Sequence, residues 1–154
     1  MLKEGDKAPS FKAKDQDGKI YSFGTAIKGI TIIYFYPKAM TPGCTAESCS
    51  LRDHYGALLR HGFNVIGISP DTPDKQKKFE TAYQLPFPLL SDPNHEIMSK
   101  YGVWGEKQLY GKKFMGVIRT TFIVDKGKII KVFNKPKTKI HGEEILNYFN
   151  LPIT

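Results

Sequence analysis

Apolar positions follow two rhythms along the chain. Thr31 to Tyr36 (TIIYFY) is a run of β-branched and aromatic residues that stops at Pro37, the pattern of a strand buried on both faces. Asn64 to Ser69 (NVIGIS) reads as a second strand, and Leu85 to Ser91 as extended chain around Pro86 and Pro88. Between the first two strands, Leu51, Tyr55, Leu58 and Leu59 recur at helical spacing. Pro42 at a first helical position and Gly62 past the end predict a helix from about Thr41 to Arg60. Asp71-Thr72-Pro73 opens a helix through Tyr83, Asn94 to Tyr101 is a short helix, and a last one runs from about Gly142 to Phe149. Phe11 to Phe23 alternates loosely about Asp15, Asp17 and Gly18, as a hairpin does. The strongest hairpin signal is Asp125-Lys126-Gly127-Lys128, flanked by Thr120 to Val124 and Ile129 to Phe133. This order predicts an α/β fold: a central mixed β-sheet with helices on both faces and an N-terminal β-hairpin. No repeat, low-complexity segment or linker divides the chain, so its 154 residues are expected to form one domain.

Composition narrows the class. With 40% hydrophobic and 25% charged residues, this is ordinary globular material. Two cysteines exclude a disulfide-dense scaffold and cannot alone furnish a four-ligand zinc site. His54, His61, His95 and His141 are scattered without metal-ligand spacing, so no metal is expected. Met1 to Ala8 has no apolar core of a signal peptide, and Ile30 to Tyr36 is far too short to span a membrane. A cytoplasmic protein with reduced resting thiols and no membrane partner is the expectation.

The formal charge of +8 keeps a nucleic-acid-binding module in view. Against it, no RNA- or DNA-binding signature is present, and only Arg52, Arg60 and Arg119 of the 23 cationic side chains are arginine. The charge is also one-sided: residues 1–106 carry 13 cationic and 12 anionic side chains, residues 107–154 carry 10 and 3. Binding to duplex DNA with a steep salt dependence is the observation that separates this reading from an enzymatic one.

Cys44 lies just after the buried strand and inside the first turn of the following helix. Unpaired backbone N–H groups and the helix dipole favour an anion there, so a thiol in that place tends toward the thiolate. Thr41 adds a hydroxyl one turn away, and Pro37 and Pro42 stiffen the loop. Equally, a free cysteine often serves as a small buried hydrophobe. If Cys49 shares the helix, five residues place the two Cα atoms roughly 8.6 Å apart, beyond the limit of about 7 Å for a disulfide. The pair then joins only if the first turn and a half unwinds, after oxidation of Cys44. The C-x-x-x-x-C spacing also differs from the C-x-x-C of simple dithiol exchange, which leaves a thioredoxin-like disulfide oxidoreductase as the weaker alternative. A Cys-His hydrolase pairing Cys44 with His95 or His141 is a further alternative, without a local signature to support it.

The stretch Tyr34 to Asp53 (YFYPKAMTPGCTAESCSLRD), followed in order by FPLLSD (87–92), YGVWGEK (101–107) and GVIRTTFIVD (116–125), resembles the peroxiredoxins. Within them it is similar to the bacterioferritin comigratory protein or Q-type subgroup. The resemblance implies a thioredoxin-like fold and a peroxidase for hydrogen peroxide and organic hydroperoxides; a monomeric or weakly associating enzyme without metal or organic cofactor is the expectation. By the same resemblance Cys44 matches the cysteine that attacks the O–O bond and Cys49 the resolving cysteine. Thr41 matches the threonine that hydrogen-bonds thiolate and peroxide, Pro37 the proline that shields the pocket, and Arg119 the arginine beside the sulfur. Backbone N–H groups of Gly43 and Cys44 add donors to that pocket. With no third cysteine, the implied disulfide needs an external dithiol such as thioredoxin. Ala39 stands where many relatives carry an acid, and Tyr148-Phe149 reads as helix packing.

Overall fold

The computed structural model describes residues 1–24 and 27–153. Its centre is a five-stranded sheet in the order β5-β4-β3-β8-β9. The strands β3 (Ile30–Phe35), β4 (Phe63–Ser69) and β5 (Leu89–Ser91) run parallel, whereas β8 (Thr120–Asp125) lies antiparallel to β3 and β9 (Lys128–Phe133) antiparallel to β8. This is the mixed sheet that the sequence predicts. Alternate side chains of the central strand serve two cores. Ile32, Tyr34 and Tyr36 pack with residues of α1 (Pro42–Asp53), α2 (Tyr55–Arg60), α3 (Pro73–Tyr83) and α5 (His141–Tyr148). Ile33 and Phe35 pack with α4 (Glu96–Tyr101) and with the hairpin of β1 (Phe11–Lys14) and β2 (Ile20–Phe23). Both faces are covered, which is why β3 reads as continuous apolar sequence rather than as an alternation.

The predicted N-terminal hairpin forms, with Asp15 Oδ1 accepting from the N–H groups of Asp17 and Lys19 across its turn. The Asp125–Lys128 hairpin also forms, on a two-residue turn with positive φ at Lys126 and Gly127. Tyr148 and Phe149 are packing residues: Phe149 lies 5.2 Å from the Phe63 ring and Tyr148 5.9 Å from Phe133.

The reading of one helix needs correction, and two other regions go beyond what the sequence shows. The helix expected from Thr41 to Arg60 is two helices broken at His54, whose ψ is 8°. There the His54 ring Nδ1 lies 2.9 Å from the Ser50 carbonyl, a side-chain contact that competes with the helical ladder, and Gly56 weakens the next turn. The extended stretch 85–91 pairs only over Leu89–Ser91, because Pro86 and Pro88 cannot donate to a ladder. Finally, β6 (Trp104–Leu109) and β7 (Lys112–Val117) form a separate two-stranded hairpin that the apolar pattern does not announce.

Candidate active site

The loop after β3 is held from beneath by buried polar groups. Tyr36 OH donates to Gln76 Oε1 (2.6 Å), and Gln76 Nε2 donates to Ser69 Oγ (2.9 Å) and to the Leu90 carbonyl (2.9 Å). Ser69 Oγ donates in turn to Asp71 Oδ2 (2.7 Å), and that same oxygen accepts from the Ala39 N–H (2.7 Å). Asp71 thus ties the 37–41 turn to the end of β4, and Pro37 sits half-buried at its start. Met40 turns the chain with φ of 70°, and Thr41 then stands at the N-cap in an extended conformation before Pro42. The Thr41 hydroxyl does not cap the helix. It donates to the Lys38 carbonyl at 2.7 Å, and it makes no hydrogen bond to the Cys44 sulfur, the role its place in the motif suggested. The tight turn brings a carbonyl three residues back within easy reach of this short side chain, and that local bond wins.

Cys44 is fully buried in the first turn of α1. Arg119, 75 residues further on between β7 and β8, places Nη2 3.3 Å from Sγ, the one hydrogen-bond partner of the sulfur among the described residues. Its other nitrogen, Nη1, donates to Glu47 Oε1 at 2.8 Å. Glu47 is itself fully buried one turn along the helix; burial pushes its carboxyl up, while His141 and Arg119 pull it down. Gly43 makes room for this arrangement, since a Cβ there would lie 3.2 Å from Arg119 Nη2. The guanidinium is therefore forked between a carboxylate that fixes it and the sulfur it faces, a geometry suited to stabilising a thiolate and the charge that develops on an attacked peroxide.

Cys49 lies on the same unbroken helix, half-buried, and both thiols are free. Burial pushes its thiol up, only partly offset by Arg52, which is itself engaged with Asp53 at 2.8 Å. On a continuous helix the two Cα atoms are about 8.6 Å apart, so the wound form cannot hold a Cys44–Cys49 bond.

The histidines of the hydrolase alternative are engaged elsewhere. His95 stacks on Trp104 with ring centroids 3.6 Å apart. His141 is fully buried, with Nδ1 2.8 Å from Glu144 Oε1 and Nε2 2.9 Å from Thr121 Oγ1. Among the described residues no group of three or more His, Cys, Asp or Glu is placed to hold a metal ion. Among the described residues no helix is long and apolar enough to cross a membrane. Sequence reasoning missed Glu47 and Asp71 as site residues, and it offered His141 as a partner of Cys44 whereas the ring lies beside Glu47. Glu47 carries one available signal, an acid three residues after the cysteine on the buried stripe Cys44-Glu47-Ser48-Leu51.

Residues 4–133 match the model of the AhpC/TSA family. The chain belongs to that family. Peroxiredoxin Bcp of Escherichia coli K12 is 45% identical over 148 residues, 96% of this chain and 95% of the relative. Among solved structures, the peroxidoxin BcpB of Mycobacterium tuberculosis superposes with a TM-score of 0.85 at 33% identity, over 97% of each chain. The bacterioferritin comigratory protein of Xanthomonas campestris, whose structures were described for alkyl peroxide reduction, superposes at 0.84 with 26% identity, over 91% of this chain and 90% of that one. This peroxiredoxin is a thiol peroxidase on a thioredoxin-like fold, and the resemblance read from Tyr34 to Asp53 led to the right family.

Proposed function

We propose that Cys44 is the nucleophile of a two-step thiol peroxidase and that Cys49 resolves it. The Cys44 thiolate attacks the terminal oxygen of hydrogen peroxide or an organic hydroperoxide. The O–O bond breaks, an S–O bond forms, and the alcohol or water leaves with a proton from solvent. Cys44 becomes a sulfenic acid. After the first turn and a half of α1 unwinds, the Cys49 sulfur attacks Cys44 Sγ; the S–O bond breaks, an S–S bond forms and water departs. A thioredoxin-like dithiol then reduces the disulfide by thiol exchange, becoming oxidised itself.

The observation that carries this reading is the forked guanidinium of Arg119 on the buried Cys44 sulfur, at 3.3 Å. Pro37, Thr41 and Gly43 act as the walls of the peroxide pocket, with N–H groups of Gly43 and Cys44 as further donors. The whole chain works as one unit, monomeric and cytoplasmic, and its basic residues of 107–154 steer an acidic reductase. The test is a coupled assay with thioredoxin and its reductase. The parent chain consumes peroxide catalytically and Cys44→Ser does not; unaltered turnover by Cys44→Ser would contradict the assignment.

A further inference from the structure

Helix α1 is tied to the start of α5 by three successive contacts. Glu47 Oε2 lies 3.9 Å from His141 Nε2, Ser50 Oγ accepts from the Gly142 N–H at 2.9 Å, and His54 Nε2 lies 3.6 Å from Glu143 Oε1. The two elements approach so closely that a Cβ on Gly142 would sit 2.7 Å from the Ser50 carbonyl oxygen. Of the three ties, only the Glu47–His141 contact lies within the segment between Cys44 and Cys49. Unwinding that stops at Cys49 therefore breaks this contact and leaves the Ser50 and His54 ties in place.

The groups around the His141 ring are defined. Glu144 Oε1 faces Nδ1 at 2.8 Å, so that nitrogen donates its proton to a carboxylate. The Thr121 hydroxyl and Glu47 Oε2 face Nε2, and the Phe133 ring packs edge-on at 5.5 Å. Glu144 also accepts from the Lys137 N–H at 3.1 Å. Glu47 Oε2 itself is buried without a hydrogen-bond partner, while Oε1 is committed to Arg119. A buried carboxylate oxygen with no donor is costly, and among the described residues the facing imidazole is the one cationisable group beside it apart from Arg119.

We infer that His141 is a positioning residue of the peroxidase, a clasp that holds Glu47 inward, and through it the Arg119 fork on Cys44, and that opens when α1 unwinds for resolution. This rests on the two-step reading above. The clasp favours the wound, peroxide-reducing form over the unwound, disulfide-closing form, so loosening it slows the first step and speeds the second. A residue that merely anchors α5 would not move the two steps in opposite directions.

The test compares His141→Gln, whose amide reaches the place of Nε2, with His141→Asn, whose amide reaches only the place of Nδ1. Stopped-flow mixing of reduced protein with hydrogen peroxide gives Cys44 oxidation, and quenched samples give disulfide closure. His141→Gln is expected to stay within about threefold of the parent in oxidation, whereas His141→Asn oxidises about tenfold more slowly and closes its disulfide several-fold faster, the scale of one lost buried polar contact. Equal oxidation rates in the two variants, or slowing of both steps together, would overturn the clasp. If His141→Asn does not fold, Thr121→Val removes the hydroxyl beside Nε2 at nearly constant volume. Slower oxidation with faster closure in that variant supports the clasp, and two unchanged rates contradict it. A parent that oxidises but never closes its disulfide would overturn the resolution reading and the clasp with it, whereas a competent parent with unresponsive variants overturns the clasp alone.

Discussion

Cys44 and Cys49 sit five residues apart on one helix, and their surroundings have almost nothing in common. Cys44 is fully buried with a guanidinium nitrogen 3.3 Å from its sulfur, and that guanidinium is locked by a buried carboxylate. Cys49 is half-buried, its thiol pushed up by burial, and its neighbouring cation Arg52 is bound to Asp53. One sulfur faces a cation fixed in place; the other is pushed up by burial beside a cation already engaged. In the two-step reaction proposed above, the environment, more than the residue type, divides the labour between two identical side chains, and the helix between them is the element that must move.

Removing one sulfur breaks the comparison most severely. Cys49→Ser should complete a single round of peroxide reduction and then stop, since a sulfenic acid without a resolving thiol offers the reductant no disulfide; single-turnover and steady-state assays side by side check this. Arg119→Met removes the charge that distinguishes the two sites, and the oxidation rate of Cys44 should fall by about 10²–10³, the effect of losing a prepositioned charge-stabilising donor. Competition against a second peroxidase measures it.

The pH dependence separates the two sulfurs in another way. Because the Cys49 pKa is raised, its thiolate fraction at neutral pH lies below that of an ordinary thiol. Closure should therefore quicken about tenfold per pH unit through the neutral range and level off only above the ordinary thiol value. Quenched-flow closure rates from acidic to alkaline pH test this; a rate that is flat through the neutral range would mean that Cys49 is already a thiolate and would contradict it. The smallest change is Gly43→Ala, whose Cβ would press on Arg119 Nη2 at 3.2 Å. Oxidation should slow about threefold with little loss of stability, because the far end of a flexible side chain can yield.

How far the sequence discloses this molecule depends on how local each feature is. The turn at Lys126-Gly127 is legible because apolar strands flank it. The turn at Tyr110-Gly111, with the same pair of positive φ values, is not, because Glu106, Gln108, Lys112 and Lys113 around it are exposed and carry no core periodicity. The same division runs through the site. Pro37, Thr41, Cys44 and Cys49 lie within one short stretch and read together. Arg119 enters only through family resemblance, since no periodicity links it to a sulfur 75 residues away. Glu47 is not singled out by the sequence and His141 only as a possible partner of Cys44: an acid on a helix and a lone histidine ordinarily face solvent or fill a core, and only the packing of α5 on α1 makes them partners of each other.

The central claim is that one buried cysteine reacts with peroxide and that a neighbour on the same helix, out of reach while the helix is wound, closes on it. Its most direct test is to oxidise the reduced protein with one equivalent of hydrogen peroxide and map the product by peptide mass spectrometry. The account predicts loss of both thiols and a single intramolecular Cys44–Cys49 disulfide. Oxidised protein in which Cys49 remains a free thiol, or in which Cys44 is untouched, would contradict it.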